Sequence, residues 1–120
     1  MAGILIIDDS TVIRLKLKQI CEHLGHVVVG EAPNGELGVR RYEEIRPDIV
    51  FLDMMMPEMD GIEAANRIMQ KDPSARIIII SGDSKDVNVI KVLKSGVKGY
   101  VLKPFHEERI IHEIQKALAG

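Results

Sequence analysis

Five polar side chains stand directly after runs of apolar, mostly β-branched residues: Asp8 and Asp9 after ILII, Asp53 after IVFL, Ser81 after IIII and Lys103 after YVL. Every strand must stop somewhere, so chance supplies a polar residue at some of these ends; it does not account for the types. Paired acids beside a third acid concentrate hard oxygen ligands, a set suited to Mg²⁺ rather than to a softer metal. Mg²⁺ binds through one or two carboxylates and leaves room for a substrate phosphate. A hydroxyl at Ser81 able to donate a hydrogen bond, and an ammonium at Lys103 able to sit on a phosphoryl oxygen, complete a set for phosphoryl transfer. Asp53 is the natural nucleophile, being the acid with the middle strand of a sheet directly behind it. Three carboxylates against one lysine also predict mutual repulsion when no metal is bound.

The elements that must position these groups are legible from periodicity. Ile4–Asp8, Val27–Glu31, Ile49–Asp53, Ile77–Ser81 and Tyr100–Lys103 read as strands. Three of them are continuously apolar, the habit of parallel strands buried on both faces, so helices must cover both sides. Ile13, Leu17, Ile20 and Leu24 recur at helical spacing, as do Val39, Tyr42 and Ile45, then Ile62, Ala65 and Ile68, then Val87, Ile90 and Leu93, and finally Ile110, Ile114 and Ala117. The spacing of the strand ends also falls in the range of leucine-rich repeats, but the LxxLxLxxN core is missing. The pattern predicts a doubly wound α/β domain over residues 1–120, in which ligands bind beyond the carboxyl ends of the strands.

Each residue also has a plainer reading. Asp8 and Asp9 suit a helix N-terminus, where acids favour the dipole. Ser81 is a candidate helix cap, although Asp83 and Ser84 are better placed for one. Tyr100 by itself reads as core. Met54 and Met56 read as flexible packing, with Met55 contributing mainly its carbonyl. Cys21, His23 and His26 have no standard zinc spacing and read as residues around a helix end; His106 and His112 read as exposed positions of the last helix.

Taken together and in order, IIDDS, LDMMMPEMDG, IIIISG and YVLKPF closely resemble the response-regulator receiver domain of two-component signalling. The resemblance implies a flavodoxin-like (βα)₅ fold with a five-stranded parallel sheet in the order 2-1-3-4-5. It implies that Asp53 accepts a phosphoryl group from a sensor histidine kinase. Asp9, Asp53 and the backbone carbonyl of Met55 would ligate Mg²⁺, with Asp8 acting through a metal-bound water. Ser81 and Lys103 would bind phosphoryl oxygens, Pro104 would follow the lysine through a cis bond, and Tyr100 would be the switch aromatic. A downstream target protein would read the surface of the fourth helix, fifth strand and fifth helix.

Composition agrees. The 120 residues carry 18 acids and 16 bases, a net charge of −2, which gives no basic excess for nucleic acid or a membrane surface. One cysteine allows no internal disulfide, the N-terminus has no signal-peptide pattern, and the chain reads as cytoplasmic. The competing function is a haloacid-dehalogenase-like Mg²⁺-dependent phosphatase, which needs its nucleophile in a DxD after the first strand, where this chain has Asp8-Asp9-Ser10. A degenerate, purely structural receiver conflicts with the intact set of five. The resemblance suggests a stand-alone chemotaxis-type regulator or the receiver of a longer one.

Overall fold

A computed structural model describes residues 1–82 and 96–119. The strands are β1 (Gly3–Ile7), β2 (Val27–Ala32), β3 (Ile49–Asp53), β4 (Ile77–Ser81) and β5 (Gly99–Leu102). The helices are α1 (Thr11–His23), α2 (Gly35–Ile45), α3 (Gly61–Lys71) and α4 (Glu107–Ala119), the last being the fifth helix of the sequence pattern. The helix expected around Val87, Ile90 and Leu93 lies outside the described residues, as do Asp83 and Ser84.

All strands are parallel and run in the order β2-β1-β3-β4-β5, as expected. Every residue of β3 and β4 is buried, because both faces of the central strands are covered. Leu5, Ile7, Val50, Leu52, Ile77 and Ile79 face a core closed by Val39 and Tyr42 of α2 and Ala64, Ala65 and Ile68 of α3. Ile4, Ile6, Ile49, Phe51, Ile78 and Ile80 face the opposite core with Leu17 and Ile20 of α1 and Ile110 and Ile114 of α4. Alternation across the pleat divides neighbouring residues between the two cores.

Register then sets the rim. Ile7 pairs with Leu52, so Asp8 and Asp53, one residue further on, leave adjacent strands side by side. Ser81 pairs with Leu102, which puts Lys103 just beyond Ser81. Two strands differ from their expected bounds in a way that matters: β1 stops at Ile7 and β5 at Leu102, so Asp8 and Lys103 begin the loops instead of ending the strands. Pairing ends where the chain turns toward α1 and α4.

Helices α1, α2 and α3 start on side-chain caps. Ser10 accepts from the Ile13 N–H at 3.2 Å, Asn34 from Leu37 at 2.9 Å and Asp60 from Glu63 at 2.9 Å. At Gly61 the chain turns back so tightly that a Cβ would lie 2.5 Å from the Asp53 carbonyl oxygen, and only glycine fits behind the rim there. Between Asp53 and Gly61 the loop holds Glu58 at φ 68°, a left-handed conformation. That conformation costs roughly 1–2 kcal/mol in an L-residue, while glycine loses about 0.4–1 kcal/mol through the unfolded chain. Glu58→Gly is therefore expected to stabilise the domain by about 0.5–1 kcal/mol, read as a raised denaturation midpoint in urea; an unchanged or lower midpoint counts against a strained loop.

Candidate functional site

Asp8, Asp9 and Asp53 each offer a carboxylate oxygen within 4.8 Å of the others, and they form the metal-capable cluster found among the described residues. They are not equivalent. Asp8 and Asp53 are buried, at 1% and 3% exposure, whereas Asp9 is exposed. Asp8 directly follows the buried strand β1, and the Ser10 N–H donates to its Oδ1 at 2.8 Å. Asp8 Oδ2 has no hydrogen-bond partner; the ammonium of Lys103 lies 3.4 Å from it. The same ammonium lies 3.5 Å from Asp53 Oδ1, which also accepts from the Met55 N–H at 3.3 Å.

Electrostatics follow from this burial. Removal from water, then the charge of Asp8, pushes the Asp53 carboxyl from 3.8 up to about 6, against the opposing pull of Lys103 and the Met55 N–H. Burial also raises Asp8, opposed by the Ser10 N–H and by Lys103. Asp9 adds a smaller push in the same direction on both buried acids. A buried Asp8 oxygen that has an ion-pair contact but no hydrogen bond, and an ionisation penalty on Asp53, are what a hard divalent cation relieves, so these oxygens fit Mg²⁺.

Ser81 is buried at the end of β4 and Tyr100 is half-buried on β5, packed against the α2–α3 core. The Met55 side chain is 66% exposed, while Met54 and Met56 are buried as packing residues. The Lys103–Pro104 bond is cis. Cys21, His23 and His26 do not converge: Cys21 is buried with its thiol pushed up to about 12 by burial, His23 meets Glu107 at 2.6 Å, and His26 Nδ1 accepts from the Ala2 N–H. His106 is exposed but precedes α4, where its carbonyl accepts from Arg109.

Two residues of α1 were not singled out by the sequence pattern. Arg14 donates from Nη1 to the Asp8 carbonyl at 2.6 Å and pairs with Glu31 at 3.2 Å, holding the first loop onto the end of β2. Lys16 donates to the Phe105 carbonyl at 2.9 Å. Basic residues on an amphipathic helix read as its solvated face; the one hint was how soon after Asp8 and Asp9 they fall.

A doubly wound sheet with an acid pair, a buried aspartate and a lysine at the ends of β1, β3 and β5 defines a receiver, and residues 4–115 match the family model of the response regulator receiver domain. The chain belongs to that family. It is similar to the chemotaxis protein CheY of Listeria monocytogenes, with 43% identity over 117 residues covering 98% of each chain. It is likewise similar to CheY of Thermotoga maritima, with 42% identity over 113 residues covering 94% of each. A chain in the crystal structure of the CheX–CheY–BeF₃–Mg²⁺ complex from Borrelia burgdorferi superposes with a TM-score of 0.93 at 34% identity, covering 97% of this chain and 88% of that one. The protein is a CheY-like signalling receiver, and the phosphatase alternative has no support. Among the described residues no helix is long and apolar enough to cross a membrane.

Proposed function

We propose that residues 1–120 act as one receiver whose Asp53 takes a phosphoryl group from the phosphohistidine of a sensor kinase. An Asp53 carboxylate oxygen attacks phosphorus, the N–P bond breaks, and the histidine nitrogen leaves with its electron pair, giving an acyl phosphate. The observation that carries this reading is the buried Asp53 carboxyl at the end of the central strand, with the Lys103 ammonium 3.5 Å away. The strand gives the nucleophile a rigid mount. Asp9, Asp53 and the Met55 carbonyl would hold Mg²⁺, with Asp8 behind them through a water, and the ion would neutralise charge on the phosphoryl oxygens. A relative captured with BeF₃ and Mg²⁺ supports that assignment, because trifluoroberyllate has the shape and charge of a phosphoryl group.

Lys103 lies between Asp8 and Asp53 and is placed to follow the new charge onto a phosphoryl oxygen. Ser81, beside it on β4, donates a hydrogen bond to another, and Tyr100 on β5 turns in response. A target protein then reads the surface of β5 and α4, the fifth strand and fifth helix of the sequence pattern. The buried free thiol of Cys21 suits the cytoplasm as the place of work.

Incubation with acetyl phosphate and Mg²⁺ should add one base-labile phosphoryl group, seen by intact mass, and Asp53→Ala should take up none. Equal uptake by the variant would overturn the assignment. Met55 lies two residues past the acceptor with an exposed side chain, and a thioether cannot orient an attacking water. Met55→Asn should speed loss of the phosphoryl group by on the order of tenfold, below the roughly 100-fold of a full general base. Equal decay rates would remove Met55 from the mechanism.

A further inference from the structure

Phosphoryl chemistry on Asp53 gives Lys16 no direct task, yet its ammonium is engaged twice by one residue. Nζ donates to the Phe105 carbonyl at 2.9 Å and stands 4.6 Å from the centroid of the Phe105 ring. A lysine on an open helix face ordinarily samples many rotamers; a carbonyl and a ring face on the same residue select one. Phe105 is buried in the core under α1 and α4 and lies two residues beyond Lys103. On the other side, the Lys103 N–H donates to the Ser81 carbonyl at 2.7 Å. The turn that carries Lys103 is therefore tied to β4 before it and to α1 after it. Between the ties, the Lys103 ammonium must sit within reach of both Asp8 and Asp53, at 3.4 and 3.5 Å.

We infer that Lys16 is a positioning residue for Lys103: α1 fixes the turn after β5 through the Phe105 carbonyl and thereby sets where the rim ammonium stands. The inference rests on the reading of Asp53 as phosphoacceptor. Reactive groups tolerate displacements of only about 0.5 Å, and a misplacement of about 1 Å can cost roughly 100-fold in rate. A methionine at this position still packs on the ring but leaves the Phe105 carbonyl without its donor. An arginine keeps both contacts.

The test compares Lys16→Met and Lys16→Arg, each with Lys103 present and with Lys103→Ala. Lys16→Met should slow phosphoryl uptake from acetyl phosphate about tenfold when Lys103 is present and cause no further slowing in Lys103→Ala, since coupled residues are non-additive. Lys16→Arg should restore the wild-type rate. In the unphosphorylated protein, amide hydrogen exchange at Lys103 should rise about tenfold in Lys16→Met and not in Lys16→Arg. Wild-type uptake by Lys16→Met, or equal slowing with and without Lys103, overturns the inference. If the wild-type protein takes up no phosphoryl group, the reading of Asp53 falls, and exchange at Lys103 alone decides whether Lys16 holds the turn.

Discussion

Asp53→Asn is expected to raise the melting temperature of the metal-free protein by on the order of 10 °C at about pH 8, and to leave it nearly unchanged at about pH 4. The Asp53 carboxyl titrates at 3.8 in a solvated chain and at about 6 in the fold, so between those values the folded state holds a proton that the unfolded state has released. Stability then falls as pH rises through this window. The cost is absent below the lower value and complete above the upper one, where it amounts to on the order of 3 kcal/mol. At roughly 4 °C per kcal/mol for a domain of this size, the shift follows. Asp8, raised in the same direction, adds to the slope in both proteins. On the proposed Mg²⁺ site the ion should narrow the gap, because a ligand that binds the folded state alone adds about 2.7 kcal/mol at 100 times its dissociation constant. Melting curves in chelator across this pH range decide the matter: a variant no more stable than wild type at the alkaline end shows that the buried carboxylate carries no such cost.

The same burial explains how much of the site was legible in the sequence. A run such as IVFLD, apolar on both faces and ending in an acid, is how a central parallel strand must read, so β3, β4 and the places of Asp53 and Ser81 were visible without coordinates. Strand order was not available from periodicity; it came from the resemblance. The division of labour between Asp8 and Asp9 was not legible either. Two adjacent acids differ in burial, and the Ser10 N–H holds an oxygen of Asp8, loop details that residue types do not encode. Arg14 and Lys16 escaped for a related reason. Each reaches over the rim to a backbone carbonyl, of Asp8 and of Phe105, and a carbonyl leaves no trace in a sequence.

Removing the Lys103 ammonium from the rim should move three observables. Lys103 pulls down the pKa of both Asp8 and Asp53, so Lys103→Met should raise both and steepen the loss of stability with pH. Breaking a buried ion pair commonly costs about 3–5 kcal/mol. Here the carboxyls escape part of that by taking up protons, and the Lys103 side chain is itself 24% exposed. The expected loss is therefore about 2 kcal/mol at pH 8, fading as pH falls below about 6, where Asp53 takes up its proton in either protein. Mg²⁺ affinity should move the other way, rising by roughly an order of magnitude, because a unit positive charge has left the neighbourhood of a divalent site. On the proposed role of Lys103, phosphoryl uptake should nonetheless slow by on the order of 100-fold, the loss expected when a cation that meets developing charge on the phosphoryl group is removed. Calorimetric Mg²⁺ titration beside uptake kinetics separates these effects. A variant that binds Mg²⁺ more weakly and loses uptake in proportion would mean that Lys103 merely organises the metal site. Tighter Mg²⁺ with slower uptake identifies Lys103 as the cation that meets the transferred phosphoryl group.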